Sequence, residues 1–401
     1  MARKILYLAA GAGLTLDQSG GAGTHMRGAI RGFREHGNEV LPLIMGDILK
    51  PKGSSSISVS TASSKGSIRS LIKKILPDKF RLLLRDVRTV WNDYKFERRT
   101  INTVKQFKPD AIYERASYLS SYGSRLAKRL NIPIFYETDG CMVEIISKDY
   151  GVFSEYLGNL FERRKMKQAD YVVVMNKLTI PVVEKKFHLK RKTFLVKPLG
   201  IDPDQFNYNQ RQVSELNNGF NLTNKFVIGF VGAISTYHGV NYLVEAASHL
   251  NKEYGDKIAV VIVGWSKEAE TLKARADREN LSNIIFAGKV SKSEVSDYYN
   301  LMDVGVIPDC EESMYPIKVL EYGMFGLCPL VPDYPVFSDM ISENVNGYFF
   351  THRDPISLAK KIVEIYESGE AFRLCGDRWS TFVKGNFQWK DSVFPIIEAL
   401  N

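Results

Sequence analysis

Short apolar runs alternate with amphipathic segments along the whole sequence, and this alternation limits the possible folds more than any other feature. Such runs are typical of buried strands, and a helical pattern between two of them predicts a parallel βαβ unit. The first half has strand candidates at Lys4–Ala9, Glu39–Met45, Ala111–Tyr113, Ile134–Tyr136, Tyr171–Val174 and Phe194–Val196. The second half has them at Phe226–Val231, Ala259–Val263, Ile284–Phe286, Val304–Ile307 and Pro329–Val331. The sequence therefore predicts an α/β protein with two parallel sheets.

The division into domains follows from the chain length and from one linker. A chain of 401 residues is too long for one ordinary core. The Pro- and Gly-containing segment after Lys197 separates the two strand series and predicts a boundary there. We predict Rossmann-like domains over residues 1–197 and 198–385, followed by a terminal helix over 386–401.

The net charge of +9 is concentrated in one stretch. Residues 65–108 contain 13 Lys/Arg against 4 Asp/Glu, following a Ser/Gly-rich loop predicted over 53–67. The helical region 68–107, broken at Pro77, carries an apolar stripe that includes Phe80, Leu83, Leu84, Val87 and Trp91. We predict that this stripe packs against the sheet, with a surface-seeking amphipathic element as the alternative. The basic charge indicates an anionic partner, such as anionic lipid, lipid-linked phosphate or nucleic acid, and the alternative is a solvated helical face without a ligand. Of these partners we expect an anionic membrane surface and no nucleic acid.

The cellular compartment is predicted from the absence of a membrane-spanning pattern and of a signal-peptide pattern in the sequence. No stretch approaches the roughly 20 apolar residues that a membrane span requires, and the sequence shows no signal-peptide pattern. The four cysteines are scattered, which argues against a disulfide framework or a zinc site. We expect a cytoplasmic protein that lies peripherally on the inner membrane face.

Glycines follow the first strand in both halves and predict loops that approach phosphate. Gly20 and Gly21 precede a predicted helix, whereas Gly232 and Gly264 end strands. Glycine allows close backbone approach, and the amino end of a helix attracts anions. Gly11 to Leu16 is a broken GxGxxG, and with Asp47 as the ribose-binding acid it leaves an NAD-binding oxidoreductase open.

The segment from Ser313 to Gly326 carries the most specific pattern. Pro316 can start a helix whose amides, at Ile317, Val319 and Leu320, would hold a diphosphate, with Lys318 adding positive charge. Glu321 could accept hydrogen bonds from two adjacent ribose hydroxyls. The alternative is an ordinary amphipathic surface helix.

In this segment the chain resembles the retaining glycosyltransferases of family 4, which have the GT-B fold: two Rossmann-like domains that face each other across a cleft. Glu321 matches the second of two family glutamates, whose role is to bind the donor ribose, and Ser313 stands in place of the first. Ala233 and His238 replace two cations of the family, and the resemblance leaves Lys318 and His238 to stabilise the leaving diphosphate. Lys289 and Val290 match the segment that contacts the nucleotide base.

The resemblance implies transfer of a sugar from a UDP- or GDP-linked donor to a glycan or lipid-linked acceptor. It further implies retention of configuration, no metal and no other cofactor, in cell-surface polysaccharide or glycolipid synthesis. Asp139 is a catalytic candidate and Glu137 an acceptor-binding candidate, because they lie at the end of a predicted strand. His25, near the first loop, is a second acceptor-binding candidate. The departures at Ser313, Ala233 and His238 leave open a catalytically weak protein that only binds nucleotide sugars.

Overall fold

The computed structural model describes residues 2–18, 20–49, 77–189, 192–202, 206–291, 293–312 and 316–401. The chain divides into two compact units. Unit 1 comprises Met1–Pro198 with Ser392–Asn401, and unit 2 comprises Leu199–Asp391. The observed boundary falls one residue after the predicted one. The predicted loop 53–67 and the helical segment 68–76 lie outside the described residues.

Unit 1 alternates strands and helices in the predicted way. Its elements are β1 (Lys4–Ala9), α1 (Gly21–Glu35), β2 (Glu39–Ile44), α2 (Met45–Leu49), α3 (Asp78–Phe107), β3 (Ala111–Arg115), α4 (Tyr122–Leu130), β4 (Ile134–Thr138), α5 (Met142–Tyr150), α6 (Glu155–Gln168), β5 (Tyr171–Val174), α7 (Thr179–Phe187) and β6 (Thr193–Val196).

The six strands of unit 1 form one parallel sheet in the order β2-β1-β3-β4-β5-β6. Helices cover the sheet, so the strand interiors are apolar on both faces, as parallel sheets require. Leu6 and Leu8 of β1 are fully buried in a cluster with Phe96 of α3 and Leu126 of α4. This cluster fixes the carboxyl edge of the sheet, where β1, β3, β4 and β6 end.

Unit 2 has the same type of architecture. Its elements are α8 (Gln210–Gly219), β7 (Phe226–Val231), α9 (Val240–Tyr254), β8 (Ile258–Val263), α10 (Lys267–Arg278), β9 (Ile284–Gly288), α11 (Val295–Tyr299), β10 (Val304–Val306), α12 (Lys318–Met324), β11 (Cys328–Pro332), β12 (Tyr348–Phe350), α13 (Pro355–Glu367), α14 (Ala371–Asn386) and α15 (Trp389–Leu400). From Ser392 onward, α15 belongs to unit 1.

The parallel sheet of unit 2 has the order β12-β11-β10-β7-β8-β9. This is the Rossmann order, with β7 and β10 at the centre. Both sheets confirm the prediction of two Rossmann-like α/β domains. The edge strand β12, only three residues long, was not predicted.

One prediction about the basic region is wrong. The apolar stripe of α3 does not pack against the sheet, because Phe80, Leu84, Val87 and Trp91 are exposed. The side of α3 that faces the unit carries buried acids instead. Asp93 and Glu97 accept hydrogen bonds from Arg125 of α4 at 3.0 and 2.7 Å, and these charged pairs set the rotation of the helix.

Candidate functional site

A buried lysine lies at the centre of unit 2, where ligands bind in this type of sheet. The strand order reverses between β7 and β10, and ligands of open parallel sheets bind beyond the carboxyl ends of the strands at that point. Gly232 follows β7, and Lys318 begins α12. The Nζ atom of Lys318 lies 3.5 Å from Nδ1 of His238 and 4.6 Å from the centroid of the Phe230 ring. The structure thus brings together Gly232, His238 and Lys318, which were all predicted as site residues.

Burial changes the protonation of this pair. Burial of the Lys318 ammonium lowers its pKa to about 8. Burial, followed by the charge of Lys318, lowers the pKa of His238 to about 3, so this histidine is neutral at neutral pH. Lys318 can only donate, which makes Nδ1 of His238 the acceptor and leaves the proton on Nε2. The pair therefore presents one buried cation and one neutral N–H donor.

Two glycines allow the strand ends to approach each other. Gly232 and Gly264 have φ values of 151° and 143°, which favour glycine. A Cβ atom on Gly264 would lie 1.9 Å from the carbonyl oxygen of Gly232, and one on Gly232 would lie 2.8 Å from Nζ of Lys318. Side chains at these positions would close the space around the ammonium.

Helix α12 is anchored from both sides and presents Glu321. The Tyr322 hydroxyl donates to the carbonyl of Val306 at 2.7 Å, and Nε1 of Trp379 donates to the carbonyl of Val319 at 2.9 Å. The Tyr299 hydroxyl donates to Oε2 of Glu321 at 2.6 Å. Burial and the charge of Glu321 raise the pKa of Tyr299 well above its usual value, so the hydroxyl keeps its proton. Tyr299 therefore orients the carboxylate that was predicted to bind ribose.

The predicted diphosphate-binding amides are only partly available. The N–H groups of Val319 and Leu320 donate to the carbonyls of Pro316 and Ile317 at 3.1 and 2.9 Å. The expectation that these two amides are free is wrong for this conformation, because the first turn of α12 uses them. Ile317 directly precedes α12, and Ser313 lies outside the described residues.

The base-contacting candidates are placed at the neighbouring strand. Lys289 and Val290 follow β9, and the Gly264 amide donates to the Gly288 carbonyl at 2.9 Å. Lys289 is exposed, and Val290 is partly buried. These positions lie at the same carboxyl edge of the unit 2 sheet as Gly232.

Unit 1 contains a second polar cluster at the carboxyl edge of its own sheet. Nε2 of His25 lies 2.8 Å from Oε1 of Glu137, and Nζ of Lys197 lies 3.4 Å from the same oxygen. Arg115 donates to Asp139 at 3.1 Å and to Nδ1 of His25. The predicted residues His25, Glu137 and Asp139 therefore lie together, joined by Arg115 and Lys197, which were not predicted.

The charges of this cluster compensate one another. Burial lowers the pKa of His25 to about 4, so the ring is neutral, and acceptance from Arg115 at Nδ1 places its proton on Nε2. Burial alone would raise the pKa of Glu137, but His25, Lys197 and Arg115 hold it well below its usual value. Burial also lowers the pKa of Lys197. The cluster keeps an ionised carboxylate inside the unit.

Exposure separates the residues that a ligand could touch from those that position them. The Glu137 side chain is 0% exposed and that of His25 3%, whereas Asp139 is 20% and Arg115 is 14% exposed. An acceptor could thus reach Asp139 and Arg115 directly. His25 and Glu137, predicted to bind the acceptor, are enclosed, and both lie beside Arg115.

The first loop does not have the geometry of a dinucleotide fingerprint. Helix α1 begins at Gly21, after Gly20 with φ 91°, ten residues beyond Gly11. Asp47 accepts a hydrogen bond from the amide of Leu16 at 2.9 Å. Arg27 donates to the carbonyls of Leu16 and Gln18, which ties the loop to the helix. This geometry disfavours the NAD-binding alternative, because that fingerprint requires the helix directly after the strand.

The structure shows no metal-binding cluster in its described ranges. No group of three or more His, Cys, Asp and Glu side chains is placed there to hold an ion. Within the same ranges, no helix is both long and apolar enough to cross a bilayer.

Comparison with known proteins defines the class of the fold and of its second unit. Residues 214–377, all within unit 2, match the family model described as glycosyl transferases group 1. Unit 2 is therefore similar to a group 1 glycosyltransferase domain. The two Rossmann-like units define the GT-B class of fold, in agreement with solved structures to which the chain is similar.

Individual relatives agree with this class. An uncharacterized glycosyltransferase of Methanocaldococcus jannaschii is 22% identical over 261 residues, which are 65% of this chain and 65% of that protein. Sucrose-phosphate synthase from Thermosynechococcus elongatus superposes with a TM-score of 0.75 at 15% identity, covering 100% of this chain and 98% of that one. Anabaena HepE in complex with UDP has a TM-score of 0.65 at 15% identity and 99% coverage of both chains. At these identities the structural likeness concerns the fold.

Proposed function

We propose that this chain transfers a sugar from a UDP- or GDP-linked donor to a glycan or lipid-linked acceptor. The proposal includes retention of anomeric configuration, independence of metal, and a role in cell-surface polysaccharide or glycolipid synthesis at the cytoplasmic face of a membrane. One observation carries it. The buried Lys318 ammonium and the Tyr299-oriented Glu321 carboxylate lie three residues apart on α12, in the domain that matches the glycosyltransferase model.

The two groups suit the two parts of a nucleoside diphosphate. The Lys318 ammonium neutralises the diphosphate, and its low-dielectric surroundings strengthen that interaction. The neutral His238 donates from Nε2 to a phosphate oxygen. Glu321, with one oxygen engaged by Tyr299, accepts a hydrogen bond from the ribose.

At the anomeric carbon of the donor sugar, one bond breaks and one bond forms. The bond between the anomeric carbon and the phosphate oxygen breaks, and its electron pair stays with the diphosphate beside Lys318. The acceptor hydroxyl oxygen bonds to the anomeric carbon, and its proton passes to the departing phosphate. Retention requires attack from the face that the leaving group vacates. The buried ammonium supplies charge that a metal ion would otherwise bring.

The nucleotide and the acceptor rest on weaker support. Anabaena HepE has been solved with UDP and with UDP-glucose, which favours UDP as the nucleotide of the donor. Unit 1 offers Asp139 and Arg115 to an acceptor hydroxyl, at the carboxyl edge of its sheet. A lipid-linked acceptor would require unit 1 to approach a bilayer.

The test is donor-dependent release of nucleotide. Mass spectrometry would follow UDP and GDP released from a panel of donor sugars, and calorimetry would measure binding of UDP, GDP and NAD⁺. We expect binding and release with one nucleotide class, both weakened by Lys318→Gln and Glu321→Gln. The exposed Lys360→Gln, on α13, is the matched control. Binding without release for every donor and acceptor would favour the catalytically weak binding protein, and binding of NAD⁺ alone would overturn the proposal.

A further inference from the structure

Helix α3 presents an apolar stripe to the exterior of unit 1. Its exposed members are Phe80, Leu84, Val87, Trp91 and Tyr94, and their spacing of three and four residues places them on one face of the helix. Trp91 is 67% exposed and Val87 is 58% exposed. Contiguous apolar surface of this kind marks an interaction site.

Helix α6 and the residues before it present a second stripe beside the first. Phe153, Tyr156, Leu157, Leu160 and Phe161 are all exposed, and Tyr156 reaches 76%. Leu83, Val87 and Trp91 of α3 line a shared groove with Phe153, Leu157 and Phe161, with a volume of about 480 Å³. We call this surface, formed by the two stripes, the α3–α6 face.

Polar contacts hold α3 in this orientation. Asp86 accepts hydrogen bonds from the Tyr118 hydroxyl at 2.8 Å and from the Phe153 amide at 3.2 Å. Arg85 donates to the carbonyls of Tyr150 and Gly151, which lead into α6. Together with the pairs of Asp93 and Glu97, these bonds turn three of the four acids of α3 inward, whereas Asp78 is exposed. The outward direction of the stripe is therefore built into the fold of unit 1.

Apart from Asp78, which pairs with Arg81, the charge left at the surface of α3 is positive. Between residues 79 and 99, the three acids Asp86, Asp93 and Glu97 are buried, and six of the seven basic residues are exposed: Lys79, Arg81, Arg88, Lys95, Arg98 and Arg99. The apolar groove shares Val90, Tyr94 and Phe161 with a second cavity, of about 970 Å³, that is lined in part by Arg125, Lys128, Arg164 and Lys165. Apolar and cationic surfaces are thus continuous.

We propose that the α3–α6 face docks onto the interfacial layer of a bilayer that contains anionic phospholipid. Exposed Trp and Tyr beside Leu, Val and Phe match the headgroup–acyl boundary, where amphipathic rings are stabilised. The exposed basic residues match anionic headgroups, which attract Lys and Arg side chains close to the membrane surface. A second copy of the chain is disfavoured as the occupant because its α3 would bring the same positive charge to the contact. The inference deepens the lipid-linked part of the proposed function.

The experiment is vesicle co-sedimentation of the full chain without donor or acceptor. Vesicles of phosphatidylcholine alone would be compared with a two-to-one mixture of phosphatidylcholine and phosphatidylglycerol, at low and high salt. We expect binding to the mixed vesicles, weakened by salt. The double variant Val87→Asn/Trp91→Gln should bind roughly tenfold more weakly. Brominated lipid should quench wild-type tryptophan fluorescence more than that of Trp91→Phe.

Matched controls come from unit 2. Val345→Asn and Leu374→Gln change comparably exposed apolar side chains and should leave vesicle binding unchanged. Equal binding by the wild type and the Val87/Trp91 variant, or no binding to anionic vesicles, would overturn the proposal. So would a wild-type dimer that the variant abolishes without any change in vesicle binding. Because no sugar transfer is measured, a negative result here leaves the glycosyltransferase proposal standing.

Discussion

Gly232 provides the space that Lys318 occupies, since a Cβ atom on residue 232 would lie 2.8 Å from the lysine Nζ. The relationship joins the end of β7 to the start of α12, the two elements that hold the candidate donor site. This close approach limits the size of the side chain at residue 232, and the limit can be tested without altering Lys318.

Gly232→Ala should displace the ammonium while preserving the fold, because the end of a lysine side chain can move. We expect the KM for the donor to rise on the order of ten- to hundredfold, the effect of weakening a charged hydrogen bond. Steady-state kinetics would measure it. In a Lys318→Gln background the same change should add little, because both act on one interaction. Gly219→Ala, where a Cβ meets open space, is the control. Fully additive effects would show that backbone strain, and not the ammonium, is responsible.

The pH dependence of donor binding should report Lys318. Its pKa of about 8 means that the ammonium is charged below pH 8 and neutral above it. The value of kcat/KM for the donor, which reflects the free enzyme, should therefore be constant below pH 8 and fall above it. The Lys318→Gln variant should have a low kcat/KM for the donor at every pH, without the decrease above pH 8. An unchanged alkaline decrease in that variant would assign the titration to another group.

Tyr299→Phe should weaken nucleotide binding by about 1 kcal/mol, because Glu321 loses a hydrogen bond that orients it. Calorimetry with the nucleotide would measure the change, and the affinity for a ribose-free diphosphate should stay constant. Tyr298→Phe is the neighbouring control, since the ring of Tyr298 packs near Phe220 at a centroid distance of 6.5 Å. Equal losses in the two variants would argue for a general packing effect.

Lys197→Met should destabilise unit 1 by about 3–5 kcal/mol, the usual effect of leaving a buried charge without its partner. Glu137 would remain ionised inside the unit with one fewer cation. Adding Glu137→Gln should restore part of the loss, because the two opposite charges are then removed together. Chemical denaturation followed by circular dichroism would measure this cycle. Additive destabilisation by the two changes would contradict coupling between the residues.

The strands were predictable because each is a local apolar run. Tyr171–Val174 and Phe226–Val231 have the predicted bounds, whereas β12, three aromatic residues directly after Gly347, was missed. The orientation of α3 was not predictable from periodicity. A helical repeat reveals an apolar face, but the direction of that face depends on Arg125, which is distant in sequence.

Some site residues were also predictable from a local pattern, whereas others are brought together only by folding. Glu321 and Lys318 lie in one segment whose pattern is visible in the sequence, and His238 follows a glycine-punctuated strand. Tyr299 is 22 residues from Glu321, and Lys197 is 172 residues from His25, so only the folded chain brings these pairs together. A basic residue one or two positions after a predicted strand, as at Lys197 and Arg115, was the available signal for them.

The polar contacts on the inner side of α3 hold the helix in place independently of its exposed apolar side chains. Among the described residues, the hydrogen bonds that hold it to other elements involve Arg85, Asp86, Asp93, Glu97, Arg99 and Thr100, and none involves a side chain of the exposed stripe. The outer side chains can therefore be exchanged without disturbing the inner ones. Where the molecule resides in a cell and what chemistry it performs can then be engineered, or can diverge in evolution, as separate traits.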